Sequence, residues 1–472
     1  MKIKNNNNIF VIYLISICLL PIFHGGETVV ELFPFICLYF VLTVICLINL
    51  KPEQKQKLIL IKLPIILQLI WLIYMGLYLI KIPNSILGVL APLTEQTSSW
   101  VRLIDVNELN TLTIAPGVTS IELLKSISYF TFFLLTYLLI DSKSRIIQAI
   151  TTVFICSGCI ALYSLLNHYT SGLYAINSPY LPWQYEWEKV AFGTFSYRNH
   201  YALYLVSTIP LGLALIAFEF NKLLKTKLNI KNVIVKSEYM KVIAYLLFTT
   251  IMIIALLKTL SRAGIGLFFI EIVFLVLILM FMNKSQYALK QVKVVLFTLL
   301  VGGILIAVSG IADDALSRTL NRGFDDSGRE TVRNIAMKII HDSPYIGTGP
   351  GTYPTIQHLY KLPELNNMAV WQRPMNDYLE LTTSVGLIGI ILFMLPTSLL
   401  LIKAFTLSKV KQRVITIYMS CLVTLLIYLL YAFVDFIFQL PINNYFFYFF
   451  ISVALNCQLI STKSKQRRII NL

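Results

Sequence analysis

About twelve runs of apolar residues, each close to the ~20 that a bilayer-spanning helix requires, leave this chain little choice of fold. They lie near 9–23, 29–50, 58–80, 121–140, 146–166, 199–218, 242–259, 264–283, 294–311, 378–402, 414–434 and 441–460. A backbone in hydrocarbon must satisfy its own hydrogen bonds, so runs of this length are helices and not strands. Only 13% of the residues are charged, against roughly 25% in soluble proteins. The expected fold is an all-α polytopic membrane protein of about twelve transmembrane helices, with a long outward loop carrying amphipathic helices. Three blocks are expected: a transmembrane bundle over 1–190, a middle domain over 191–402 containing the polar segment 312–377, and helices with a basic tail over 403–472.

The net charge of +16 raises the question of nucleic acid, but its distribution answers otherwise. Lys and Arg cluster at alternate loops: Lys51/Lys55/Lys57, Lys143/Arg145, Lys222 to Lys241, Lys284/Lys290/Lys293, Lys403 to Arg413 and Lys463 to Arg468. The positive-inside rule makes these loops cytoplasmic, with both termini on that side and all the spans alternating. The first apolar run follows Lys2 and Lys4 without a small-residue cleavage site and is read as a retained span. The seven cysteines all fall in predicted spans, where they act as small apolar side chains; neither a disulfide framework nor a zinc site is expected.

Three outward segments are long enough to carry function: 81–120, 167–198 and 312–377. The first, with Pro83, Pro92 and Pro116, reads as irregular. The second holds the aromatic cluster from Tyr180 to Trp187, an interface anchor before it is a sugar-stacking surface. In the third, Ser327 and Glu330 have capping-box spacing, and Val332, Ile335, Ala336, Ile339 and Ile340 form one apolar face. This predicts an amphipathic helix on the membrane interface showing Arg329 and Arg333. Gly347-Thr348-Gly349-Pro350-Gly351 lacks the Lys-Ser/Thr of a nucleotide loop and reads as a tight turn whose N–H groups can approach a ligand.

Cationic groups recur at one membrane face. Arg198 lies in Gly193-Thr194-Phe195-Ser196-Tyr197-Arg198-Asn199-His200-Tyr201-Ala202. Arg262 lies in the short turn Leu260-Ser261-Arg262-Ala263-Gly264, and Arg329 and Arg333 in the long loop. An Arg deep in a bilayer costs up to ~2.5–3.5 kcal/mol on insertion scales. Several guanidinium groups converging at one level repel unless an anion lies between them, and their planar forks suit phosphate oxygens.

These stretches resemble the O-antigen ligase/polymerase superfamily. The resemblance rests on the Arg198 and Arg262 motifs, on Arg329 with Asp342-x-Pro344-x-x-Gly347-x-Gly349, and on Asn376-Asp377-Tyr378-Leu379-Glu380 followed by Gly386 and Gly389. It spans about 190 to 400 and makes the middle block an O-antigen ligase-like domain. It implies a multi-pass protein of the bacterial inner membrane. Its reaction would move a glycan from an undecaprenyl-pyrophosphate carrier to an acceptor hydroxyl on the periplasmic face. The implied partners are that lipid-linked donor, a glycan, lipid or protein acceptor, and the bilayer. No cofactor or metal is implied, and no nucleic acid. Ligation as in lipopolysaccharide assembly, polymerisation of glycan repeats and protein O-glycosylation all remain open.

One departure matters. Ligases of the family carry His directly before the Asn; here Met375 stands there, with nine residues still separating Asn376 from Gly386. That His is the proposed general base or orienting group, and Met cannot take a proton. Asp377 is the first substitute and His358 the second, with Asn376 orienting the acceptor. Arg198, Arg262 and Arg329 would hold the pyrophosphate, supported by Arg333. An inverting, metal-independent transfer follows. A small residue pair at Gly386 and Gly389 points to close helix packing. Two other classes stay in view: a transporter, for which Lys62, Glu271 and Asp435 are the ionisable residues in or near spans, and a degenerate, inactive member motivated by Met375.

Overall fold

The computed structural model describes residues 2–102, 111–175, 189–223, 237–282, 327–361, 372–406, 410 and 414–470. Among them the regular structure is helical; the β pairing recorded is an isolated bridge between Lys81 and Thr111. The helices are α1 (Lys2–Ile22), α2 (Val29–Ile48), α3 (Pro52–Leu60), α4 (Lys62–Leu77), α5 (Asn84–Leu90), α6 (Pro92–Arg102), α7 (Pro116–Leu139) and α8 (Lys143–Tyr169). They continue as α9 (Arg198–Leu223), α10 (Ser237–Lys258), α11 (Arg262–Met282), α12 (Ser327–Asp342), α13 (Tyr353–Ile356), α14 (Asp377–Phe405), α15 (Ile415–Tyr431) and α16 (Pro441–Ile470). Short 3-10 turns cover Gln357–Tyr360 and Ile437–Gln439.

Eight of the described helices are long and apolar enough to cross a membrane. The third expected span, 58–80, is broken: α3 and α4 meet at Ile61 with a bend of 71°. The apolar parts of α1 (Asn7–Ile22) and of α15 are shorter than a full crossing. The expected span at 294–311, the aromatic cluster at 180–187 and the acidic pairs at 313–314 and 325–326 lie outside the described residues.

Local chemistry sets the helix starts. Thr28 and Glu31 cap α2 reciprocally, the Thr28 hydroxyl accepting the Glu31 N–H and Glu31 accepting the Thr28 N–H, both at 3.3 Å. Ser142 caps α8 through the Arg145 N–H at 3.4 Å, and Pro116 opens α7 where no donor is needed. The centre of the bundle is α9, 94% of whose apolar window is buried. It packs against α8, α10, α11 and α15. One continuous buried cluster runs from Ile9 in α1 to Cys457 in α16. All seven cysteines are free.

Two expectations are corrected. The segment 81–120 is not irregular throughout: α5 and α6 form there, and α7 begins at Pro116. The apolar face of α12 does not rest on lipid. Val332, Ile335, Ala336 and Ile339 are buried with Tyr353, Ile356, Met375 and Leu93, and α12 packs on α14. Protein covers that face because Tyr353 and Ile356 of α13, with Met375 and Leu93, pack over it.

Gly386 breaks α14, at φ 64° and ψ −174°. A helix broken at membrane depth must find partners for its freed backbone groups, and the loop after α12 supplies them. Leu387 and Ile388 donate to the carbonyls of Pro344 and Tyr345 at 2.8 and 3.1 Å. Thr348 and Gly349 donate to Thr383 and Ser384 at 3.1 and 2.8 Å. The Tyr74 hydroxyl donates to the Val385 carbonyl at 2.9 Å, and that of Tyr78 to the Ile346 carbonyl. Two of the Gly-rich turn's N–H groups, those of Thr348 and Gly349, are therefore spent on the break and do not face a ligand. Gly386 serves backbone against backbone, since a Cβ there would strike the carbonyl of Tyr345.

Candidate functional site: three helix N-termini on one turn

The turn between α15 and α16, Tyr431 to Phe438, gathers stretches that are far apart in sequence. From α9, the side-chain amide of Asn199 donates to Asp435, and the Tyr431 hydroxyl donates to the Asn199 carbonyl at 3.3 Å. From the N-terminus of α11, the Ser261 hydroxyl pairs with the Tyr431 hydroxyl at 3.2 Å while accepting the Gly264 N–H. From α14, the Asp377 N–H donates to the Ala432 carbonyl at 2.9 Å, and the Asn376 amide to that of Phe433 at 3.1 Å. From α12, Arg329 donates to the Val434 carbonyl at 3.5 Å. Arg333 donates to the carbonyl of Met375 at 3.4 Å.

Three helices of the bundle thus begin at this turn, at Arg198, Arg262 and Asp377. Each N-terminus carries a partial positive charge, which favours an anion nearby, although the Gly264, Asp377 and Leu379 N–H groups already have partners. Asn376 caps α14 by accepting the Leu379 N–H at 3.0 Å. Met375, just before it, has φ +51°, a conformation a non-glycine side chain holds at a cost.

The electrostatics agree with the geometry. Arg329 and Arg198 both lie close enough to Tyr197 for their charges to favour its phenolate, but burial and the nearby Asp435 push that phenol well up. Burial raises the Asp435 carboxyl too, against the Phe436 N–H at 2.8 Å, the Asn199 amide and the Arg329 charge. Glu27, from the α1–α2 loop, accepts from the Ser196 hydroxyl; its carboxyl is raised by burial. Nearby, His24 Nδ1 and Glu31 are 2.6 Å apart.

Of the candidate residues, Arg329, Asn376 and Asp377 hydrogen-bond to this turn, Arg333 bonds the carbonyl of Met375, and Arg198 lies close enough for its charge to act on Tyr197 and Tyr431. Arg262 follows Ser261 and is exposed. Asp377 is buried, and Oδ2 accepts the Phe438 N–H at 3.1 Å. His358 sits exposed on the 3-10 turn after α13 and makes no hydrogen bond to the others among the described residues. The hub itself was missed by sequence reasoning. Its one signal in the sequence is Asp435, an acid inside an apolar run, which reads by itself as a transport residue.

Residues 247–394 match the family model described as O-antigen ligase. The chain carries an O-antigen ligase-family domain. That domain contains Arg262, Arg329, Arg333, His358, Asn376, Asp377 and the Gly386 break, whereas Arg198 and the 431–438 turn lie outside the matched stretch. The chain matches no curated protein closely. The matched stretch thus sits in a multi-pass, all-α membrane protein, and the match implies a bilayer and glycan-type partners.

Proposed function

We propose that the protein is a glycosyltransferase of the inner membrane, moving a glycan from an undecaprenyl-pyrophosphate carrier to an acceptor hydroxyl at the periplasmic face. Arg198, Arg262 and Arg329, with Arg333 in support, neutralise the diphosphate. Asn376 orients the acceptor and Asp377 takes its proton; His358 is the second choice of base. The acceptor oxygen attacks the anomeric carbon from the back. The bond to the diphosphate oxygen breaks, its electron pair leaves with the diphosphate, and the hydroxyl proton passes to Asp377. The configuration inverts, and no metal is required, because a diphosphate leaving group needs charge neutralisation more than protonation.

The convergence of separate arginine-bearing stretches and three helix N-termini on one turn carries this reading. Transport is less well supported. Lys62 is exposed at the α3–α4 bend, Glu271 accepts from Thr424 at 2.7 Å between α11 and α15, and Asp435 lies in the hub. No hydrogen bond or ion pair joins the three among the described residues. Glycan polymerisation and protein O-glycosylation use the same donor chemistry and differ in the acceptor.

The test is transfer of a labelled glycan from a polyprenyl-diphosphate donor by the protein in vesicles. Arg262→Ala should abolish transfer with normal membrane insertion. Retained transfer would remove the arginine site, and solute uptake into the same vesicles without transfer would favour a transporter.

A further inference from the structure

A cavity of about 150 Å³ opens beside Asp377. Ala432 and Phe438 of the hub turn line it, whereas Val434 and Asp435 of the same turn meet Arg329 and Asn199. Its deeper wall is apolar, built from Trp71 of α4, Phe393 of α14, and Phe447 and Tyr448 of α16. α14 and α16 are long and apolar enough to cross a membrane, and α4 is the longer arm of the bent α3–α4 pair. No lysine or arginine among the described residues lines the cavity, but Glu122, Asp377 and Glu380 do.

Asp377 and Glu380 lie three residues apart on the first turn of α14, and both are buried. Each has one oxygen tied down: Asp377 Oδ2 by the Phe438 N–H, Glu380 Oε1 by an ion pair with Arg373. The other oxygen of each, Asp377 Oδ1 and Glu380 Oε2, is buried without a hydrogen-bond partner. Buried carboxylate oxygens are seldom left so. Two acceptors one helical turn apart suit two hydroxyl donors on one small head group.

We propose that this cavity seats the acceptor, and that the acceptor is an uncharged lipid whose head carries at least two neighbouring hydroxyls, as in a simple glycolipid. The inference rests on the transfer reading above and names its acceptor class. Lys125 pairs with Glu122 at 2.8 Å and Arg373 with Glu380, so the nearest cations are already engaged and, among the described residues, no cation in the lining is left to neutralise an anionic head. A chainless sugar would leave the aromatic wall unfilled, whereas an alkyl chain buries against it. Asp377 then receives the reacting hydroxyl, and Glu380, held by Arg373, accepts the neighbouring one. The hub turn separates this seat from the arginines, so the two substrates approach the reaction from different sides of one strip of backbone.

The test uses the full chain in lipid nanodiscs with an alkyl β-glucoside carrying a photoreactive group in mid-chain. Label should map to peptides containing Trp71, Phe393 or Phe447. Unlabelled alkyl glucoside should compete, and alkyl phosphate of the same chain length should compete at least about tenfold more weakly. Ser126→Phe, which fills the cavity from α7, should cut labelling about tenfold. Glu380→Gln should raise the acceptor KM with kcat largely kept, whereas Asp377→Asn should lower kcat. Equal competition by the phosphate, or labelling indifferent to both Ser126→Phe and Glu380→Gln, overturns the assignment. Transfer to the glucoside without labelling overturns the cavity alone. Labelling as expected with no transfer to any acceptor overturns the reaction, and the acceptor assignment with it.

Discussion

Arg333 donates to the backbone carbonyl of Met375 at 3.4 Å, and so fixes the residue that stands where related ligases carry a histidine. Met375 is buried against α12, in a left-handed conformation, and directly precedes the cap of α14. The Met375 carbonyl takes the Arg333 bond and its side chain packs in the α12 cluster, and neither contact calls for a side-chain base.

With a carboxylate as base, the native chain is active and Met375→His changes the rate by less than about tenfold, well short of the 10²–10⁴ that a positioned base contributes. Steady-state transfer kinetics on the two proteins decide this. An inactive native chain that gains transfer on Met375→His would show that the carboxylates do not serve.

Gly386→Ala should destabilise the protein severely. The φ 64°, ψ −174° conformation costs a non-glycine residue on the order of 1–3 kcal/mol, before the collision with the Tyr345 carbonyl is counted. Limited proteolysis should show new cleavage in 343–352, because the loop is held mainly by the groups that the break exposes. Native melting and an intact loop would show that the break is dispensable.

Tyr431→Phe removes a hydroxyl that joins Ser261 and Asn199, at about 1 kcal/mol for each bond lost. Its larger effect should be on transfer, which should fall by up to about 10²-fold as the Arg198 and Arg262 stretches lose their common anchor. The measurement is kcat/KM beside a thermal melt; an unchanged kcat/KM would separate the hub from the chemistry.

Glu27 gives a pH dependence of known sign. Burial raises its folded pKa above the unfolded value of about 4.3, so its contribution to stability is fully present below that pH. It is lost as pH rises through the raised folded value. Thermal stability should therefore decline from mildly acid toward neutral pH, and Glu27→Gln should flatten that part of the curve. Parallel curves for the two proteins would mean that Glu27 is well solvated.

Much of the fold is written in the sequence because hydrocarbon enforces a simple rule. A long apolar run must be a helix, so most of the predicted spans reappear as the helices now described. The arginine motifs were legible for a related reason: a cation at a membrane face is costly, and its presence asks for an anion. Three features depended on tertiary structure. The apolar stripe of α12 has the same period whether lipid or protein covers it, and only the return of the chain through Met375 shows that protein does. The Gly-rich turn looked like a ligand loop because sequence cannot show that α14 is broken opposite it. The hub at 431–438 is defined by hydrogen bonds between stretches far apart in sequence, as from Asn199 to Asp435, 236 positions away. Periodicity reports what a segment buries, and solvation energy reports where it sits; which distant groups meet is fixed only when the helices pack.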